Sequence, residues 1–131
     1  MPKFGSTSMK NLSSCHPNLQ RLATEVIKYV DHCITCGHRD QVAQDKAFAE
    51  GKSKLKWPNG EHNRIPSNAM DVAPYLTDWN DTESFTLLAG MYYGIACTMG
   101  IKIRLGIDWD GDFKTSDHKF KDRPHIELKG E

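Results

Sequence analysis

The sequence predicts an α+β domain with a small, mainly antiparallel sheet and packed helices. Helical periodicities and short alternating segments follow one another without the regular strand and helix alternation of a parallel sheet. A chain of 131 residues can bury about two thirds of its unfolded surface, which is enough for one ordinary hydrophobic core. We therefore expect residues 1–131 to form a single domain.

Three segments have the spacing of helices. Residues 17–31 repeat apolar side chains at positions i, i+3, i+4 and i+7, and Pro17 suits the first turn. A shorter helical pattern covers residues 42–48. Residues 81–100 give the strongest helix, and Gly100 is a suitable C-terminal stop.

Four short segments are predicted to be strands, at residues 34–35, 69–75, 101–105 and 125–128. Because strand side chains alternate between faces, Asp71 shares a face with Ala69 and Ala73, which leaves room for a bound group. By the same rule His125 and Glu127 share one face of the last strand.

A long polar and basic segment, residues 51–68, has no sustained periodicity. Loops of this length inside a compact domain usually carry function, and this one contains His62. In a second polar stretch, acids occupy alternate positions, as at the start of a calcium-binding loop: Asp108, Asp110 and Asp112. The downstream Gly and Glu of such a loop are absent from the sequence pattern, so we expect these acids to cap a turn.

Composition excludes several function classes. The 17 basic and 17 acidic side chains balance, so no overall charge draws the chain to nucleic acid or to an anionic membrane. No apolar run is long enough for membrane insertion or for a secretory signal, so we expect cytoplasmic synthesis. Four cysteines in a chain of this length are expected to be reduced, with Cys33 and Cys36 as half-buried strand residues.

His62, Asp71 and His125 predict a metal site. Two imidazoles and one carboxylate are the ligand set of an open zinc site, in which a reactive water takes the fourth position. Asp122 precedes His125 by three residues and is the candidate general base for that water. Arg39 is the candidate cation that stabilises the negatively charged intermediate.

Each of these residues also has a simpler interpretation. Asp71 can be a buried acid that is hydrogen-bonded to loop amides, and Asp122 can be a solvated loop acid. Arg39 can be a surface arginine paired with Asp40 or Asp45. The remaining histidines are expected to be surface or structural residues: His16, His32, His38 and His118.

Several motifs together resemble the M15 family of zinc peptidases, the D-alanyl-D-alanine carboxypeptidase and L-alanyl-D-glutamate endopeptidase group, and especially its short phage-encoded members. The resemblance covers about residues 17–128. The motifs that carry it are Gly37-His38-Arg39, Gly51-Lys52-Ser53-Lys54-Leu55-Lys56, His62-Asn63, Pro66-Ser67-Asn68-Ala69-Met70-Asp71-Val72-Ala73-Pro74-Tyr75, Asp108-Trp109-Asp110 and Asp122-Arg123-Pro124-His125.

The resemblance implies the fold shared by D-Ala-D-Ala peptidases and hedgehog domains. It implies a Zn²⁺ held by His62, Asp71 and His125, with Asp122 as general base and Arg39 near the substrate carbonyl. The implied substrate is the peptidoglycan stem peptide, cut by an endolysin that is made in the host cytoplasm and acts on the cell wall; we expect a monomer. The family's usual Ser two residues before the first ligand is Gly60 here, and the step from His62 to Asp71 is nine residues rather than seven.

Three alternatives remain at this point. The first is a D,D-carboxypeptidase that acts on D-Ala-D-Ala termini. The second is a non-haem iron oxygenase, which uses the same two-histidine, one-carboxylate ligand set. The third is a metal-stabilised binding module without catalysis, against which the presence of Asp122 argues.

Overall fold

The computed structural model describes residues 2–114 and 121–130. Four α-helices and four strands follow one another along these residues, with a short 3₁₀-helix, Glu61–Asn63, in the long basic segment. The elements are α1 (Ser6–Ser13), α2 (Pro17–Val26), β1 (His32–Cys36), α3 (Gln41–Ala49), β2 (Ala69–Pro74), α4 (Thr82–Met99), β3 (Ile103–Leu105) and β4 (His125–Leu128).

The four strands form one sheet in the order β1-β2-β4-β3, and every neighbouring pair is antiparallel. This confirms the predicted α+β class with an antiparallel sheet. Because β2 and β4 are the central strands, the residues that they present are held from both sides. Asp71 on β2 is paired with His125 on β4.

The core lies between the sheet and the helices α2 and α4. Helix α4 is capped at its start by Asp81, whose carboxylate accepts a hydrogen bond from Ser84 N at 3.2 Å, and at its end by Gly100, which has a positive φ of 70°. The most buried large side chains of the core are Leu19, Leu22, Ile34, Met70, Tyr92 and Ile126.

Helix α1 was not predicted, because its sequence has no sustained apolar stripe. Polar contacts join it to the edge strand β1. Ser8 Oγ accepts a hydrogen bond from Ile34 N at 3.0 Å, and Asn11 Nδ2 donates to Ile34 O at 2.8 Å. The helix therefore covers backbone groups that an exposed strand edge would leave unpaired.

Two predicted elements are longer than the observed ones. The helix predicted over residues 17–31 ends at Val26, because the chain turns through residues 27–29 to enter β1. The strand predicted from residue 101 begins at Ile103.

None of the described helices is long and apolar enough to cross a membrane.

Candidate metal centre and cleft

Asp71 and His125 are brought together by the register of the sheet. They are opposite each other in the antiparallel pair β2 and β4, and His125 Nδ1 lies 3.6 Å from Asp71 Oδ1. The small residues Ala69 and Ala73 lie on the same strand as Asp71 and are fully buried. The carboxylate thus has the space that the sequence predicted for it.

His62 reaches the same place from the 3₁₀-helix in the long segment. Its ring is buried, and Nδ1 lies 2.8 Å from the carbonyl oxygen of Gly37. Because a carbonyl can only accept, Nδ1 must donate, and Nε2 of the neutral ring carries the lone pair. That Nε2 atom lies 3.3 Å from Asp71 Oδ1.

His125 has a different second contact. Its Nε2 lies 2.7 Å from Glu127 Oε1, while Nδ1 is directed at Asp71 and lies 3.7 Å from Asp122 Oδ2. The rings of His62 and His125 are arranged edge to face with centroids 5.1 Å apart. The predicted shared face of His125 and Glu127 is confirmed by their contact.

Two atoms in this cluster make no hydrogen bond in the part of the chain that the structure describes: His62 Nε2 and Asp71 Oδ1, both buried. Leaving buried polar atoms unsatisfied is costly, so such a pair needs an explanation. A tetrahedral metal with bonds of about 2.0–2.1 Å separates neighbouring ligand atoms by roughly 3.3 Å. The distances of 3.3 Å and 3.6 Å from Asp71 Oδ1 to the two rings fit such an ion.

The potential metal ligands form two overlapping groups that share Asp71. One contains Asp71, Asp122 and His125, and the other contains Cys36, His62 and Asp71, with the ligand atoms of each group within 4.8 Å of one another. The residues present therefore fit a metal ion. Within these groups the charged side chains lie close enough to shift one another's pKa values.

The pKa values of the cluster report this charge coupling. Burial alone would lower the pKa of His62, but the Asp71 carboxylate outweighs it and raises that pKa to about 10. Burial opposes ionisation of Asp71, yet both imidazoles hold its pKa far below the usual range. The metal-free site is thus a carboxylate between imidazoles that favour the protonated form.

Asp122 lies beside the cluster but is not fully enclosed. Its side chain is 25% exposed. Burial, followed by the charge of Asp71, raises the pKa of Asp122 to about 6. The interpretation of Asp122 as a solvated loop acid is excluded, because the carboxyl group faces the two central strands.

Arg39 lines the same cleft. Its side chain is 16% exposed, and Nη2 lies 3.6 Å from Asp71 Oδ2 while Nη1 donates to Gln44 Oε1 at 3.1 Å. Asp40 instead caps α3, where its carboxylate accepts a hydrogen bond from Ala43 N. Arg39 is therefore a cleft residue and not a surface arginine paired with Asp40.

Three further residues of the site were missed by sequence reasoning. Cys36 was predicted to be a half-buried strand residue, which it is, but its Sγ also lies 3.8 Å from His62 Nδ1. A bulge in β1 pairs Cys36 with Asp71, and no sequence pattern indicated that bulge. Gln44 and Glu127 are buried polar residues that contact Arg39 and His125, respectively.

The other histidines lie away from the cluster. His16 Nδ1 accepts a hydrogen bond from Asn18 N at the start of α2, and His32 is buried against Tyr92. His38 Nδ1 contacts the carbonyl of Arg64. These contacts confirm structural roles for the three, and His118 lies outside the described residues.

The acids after β3 confirm the predicted turn. Asp108 Oδ2 accepts a hydrogen bond from Phe113 N, and Asp112 Oδ1 accepts one from Lys114 N. Together with Asp110 they place one oxygen each within 4.8 Å of the others.

The cluster lies where two hollows meet. The smaller, about 220 Å³, is bounded by the basic segment, Trp109, His62 and His125. The larger, about 590 Å³, is bounded by Lys52, Trp79 and Lys121. Arg39 and Asp122 line both. Hollows therefore reach the cluster from two sides.

A small α+β domain with an open cleft, a carboxylate between two imidazoles and a further acid beside them belongs to the class of hydrolases with a potential metal site. Comparison with known proteins gives the family. The family model described as phage L-alanyl-D-glutamate peptidase matches residues 1–129, and the chain belongs to that family.

A curated relative and a solved structure agree with this assignment. The chain is 34% identical over 134 residues to the L-alanyl-D-glutamate peptidase of Escherichia phage T5, which covers 96% of this chain and 97% of the relative. The crystal structure of the Serratia marcescens L-Ala D-Glu endopeptidase ChiX has a similar fold, with a TM-score of 0.76 at 22% identity, over 97% of this chain and 90% of that one.

Proposed function

We propose that the chain is a zinc-dependent endopeptidase that hydrolyses the bond between L-alanine and D-glutamate in the peptidoglycan stem peptide. Membership of the phage peptidase family supports the reaction. The observation that supports a bound metal ion is a pair of buried atoms without hydrogen-bond partners among the described residues, His62 Nε2 and Asp71 Oδ1, at the junction of two hollows.

The zinc ligands in this proposal are His62 Nε2, Asp71 Oδ1 and His125 Nδ1. A bound zinc ion supplies Lewis-acid polarisation of a substrate carbonyl and a water of lowered pKa. The protein residues hold the ligand atoms in place: the Gly37 carbonyl fixes the ring of His62, and the pairing of β2 with β4 fixes Asp71 against His125. Both histidines are buried, which limits their motion.

Asp122 is the proposed general base. It takes a proton from the attacking water and passes it to the nitrogen of the departing D-glutamate residue. A base works best when its pKa is near the working pH, and burial with the Asp71 charge brings the pKa of Asp122 to about 6. Its partial exposure lets it reach a substrate in the cleft.

Arg39 is the proposed stabiliser of the negative charge that develops on the substrate carbonyl oxygen. A cation suits this task only if it does not have to reorient during the reaction. Contacts with Asp71 Oδ2 and Gln44 Oε1 hold the guanidinium from two sides. Arg39 also lines both hollows, so it is available to substrate on either side.

The experiment that tests this reaction is digestion of purified sacculi with the zinc-loaded protein, followed by mass spectrometry of the released termini. The expected products are new carboxyl-terminal L-alanine and new amino-terminal D-glutamate. Release of free D-alanine alone would reject the endopeptidase in favour of the D,D-carboxypeptidase. No released termini with zinc bound would favour the non-catalytic binding module.

Metal content after purification tests the cofactor. Zinc is expected, and bound iron with oxoacid-dependent turnover would favour the oxygenase alternative. Family membership supports hydrolysis over oxidation. We also propose that the chain acts as one domain and as a monomer, to be checked by light scattering, and that it is an endolysin made in the host cytoplasm before it reaches the cell wall.

A further inference from the structure

Glu127 is a buried carboxylate that contacts one of the two imidazoles of the cluster. It lies two residues after His125 on β4, and its Oε1 is 2.7 Å from His125 Nε2. The side chain is 11% exposed, so the contact is shielded from water. An ionised carboxylate can only accept, so in this contact Nε2 donates and Nδ1 carries the lone pair of the neutral ring.

The surroundings of Glu127 show how the fold holds it there. Arg104 on β3 is paired with Glu127 in the sheet register, and Arg104 Nη1 lies 3.7 Å from Glu127 Oε2. On the other side, the register places Ala69 of β2 opposite Glu127. A small residue on one strand and a cation on the other therefore flank this buried carboxylate.

The two imidazoles of the cluster are therefore held differently. A neutral carbonyl, that of Gly37, accepts from His62, whereas a carboxylate accepts from His125. Charge-assisted hydrogen bonds are roughly twice as strong as neutral ones. Both contacts leave the opposite ring nitrogen directed at Asp71.

We propose that Glu127 is a positioning residue that fixes the His125 ring with Nδ1 directed at the metal and strengthens that nitrogen as a ligand. The inference rests on the metal site of the proposed function. Removing a carboxylate that accepts from a ligand histidine typically weakens metal binding about 10–100-fold, because the ring loses its orientation and its basicity. If the Glu127 carboxylate stabilised only the sheet, its removal would change the free energy of unfolding without changing zinc affinity.

The test compares zinc affinity in wild type, Glu127→Gln and Glu127→Met, measured by competition with a chelating dye. Met fills a similar volume without an acceptor and is expected to weaken zinc binding about 10–100-fold. Gln keeps an acceptor oxygen without charge, so its affinity should lie between wild type and Met. Glu25→Gln on α2 is the control, since it removes a carboxylate that accepts from Lys28 and Tyr29 rather than from a histidine.

Nitrogen-15 spectra of the zinc-loaded proteins provide the second measurement. In wild type, His125 should keep its proton on Nε2 and have none on Nδ1. In Glu127→Met the Nε2 proton should exchange faster with water, because its acceptor is gone. These signals do not depend on hydrolysis of a substrate.

Unchanged zinc affinity in a folded Glu127→Met protein would overturn the inference. If Glu127→Met does not fold, Glu127→Gln provides the test. A zinc affinity of Glu127→Gln within about twofold of wild type would then overturn the inference. A wild type that binds no zinc would overturn both this inference and the proposed function. A wild type that binds zinc and cleaves sacculi, with variants of equal affinity, would reject the role of Glu127 alone.

Discussion

His62 Nε2 lies 3.3 Å from Asp71 Oδ1, although the two residues reach this position from a 3₁₀-helix in a long segment and from the middle of a sheet. Neither atom has a hydrogen-bond partner among the described residues. Without metal, the negative charge of Asp71 favours a proton on the imidazole. With metal, that proton has to leave.

Zinc binding is therefore expected to release protons near neutral pH. The charge of Asp71 outweighs the effect of burial and raises the pKa of His62 to about 10, so His62 of the metal-free protein is protonated there. On the order of one proton should leave that ring when zinc binds. Calorimetric titration with zinc in buffers of different ionisation enthalpy measures the number. A binding heat independent of the buffer would contradict the prediction. His16→Gln should behave like wild type, because that ring accepts a hydrogen bond from Asn18 N at the start of α2.

The second prediction concerns pH and Asp122. A general base must be ionised, so kcat/KM should fall as pH drops below the pKa of Asp122, which burial and the Asp71 charge raise to about 6 in the metal-free chain. A bound cation lowers this pKa, which moves the acid limb to about pH 6 or below. Asp122→Asn should lower kcat/KM about 10²–10⁴-fold and remove that limb.

The control for this prediction is Asp45→Asn on the exposed side of α3, which should leave the pH profile unchanged. Zinc affinity of Asp122→Asn should remain close to that of wild type, because Asp122 is not among the proposed ligands. Full wall-lytic activity in Asp122→Ala would show that the base is another group.

Local sequence patterns were sufficient to predict the strands that carry Asp71 and His125 and the helix α4. The alternation of side chains along the strand placed Asp71 on the same face as two alanines. The position of His62 in a long loop indicated that it is a ligand. These predictions depend only on neighbours along the chain. The distance between Asp71 and His125 depends on sheet register, and the position of His62 depends on the path of the long segment; such patterns specify neither.

Features that depend on contacts between distant segments were not predicted. Helix α1 is held by hydrogen bonds from Ser8 and Asn11 to β1, and its own apolar pattern is too sparse to indicate a helix. Cys36 lies beside His62 because of a bulge in β1. Glu127 was placed on the correct face, but its contact with His125 Nε2 requires the side-chain geometry.

The third prediction concerns Gly106, at the end of β3. Its N donates to His125 O at 2.9 Å and its carbonyl accepts from Asp122 N at 2.9 Å, so its backbone holds both residues. A Cβ at this position would overlap the carbonyl oxygen of Asp122 and lie 2.8 Å from His125 Cβ. Gly106→Ala should cost about 1–3 kcal/mol of unfolding free energy, since the backbone has to shift. Zinc affinity should fall with it.

Gly90→Ala is the matched control, because nothing lies within 4 Å of a Cβ at this exposed position of α4. Alanine is a better helix former, so this variant should gain about 0.5–1 kcal/mol. Urea unfolding of the two variants measures the difference. If both variants were equally stable, the backbone would accommodate a Cβ at position 106 without loss of unfolding free energy.

The last prediction concerns Arg39, whose Nη2 lies 3.6 Å from Asp71 Oδ2. With zinc saturating, Arg39→Ala should lower kcat about 10²–10³-fold, because the charge on the carbonyl oxygen loses a fixed donor. Arg39→Lys should recover only part of this, since an ammonium cannot contact Gln44 and the substrate in the same planar arrangement. Arg21→Ala, on the exposed side of α2, is the control. If kcat is unchanged and only zinc affinity falls, Arg39 supports Asp71 and does not contact the reacting carbonyl.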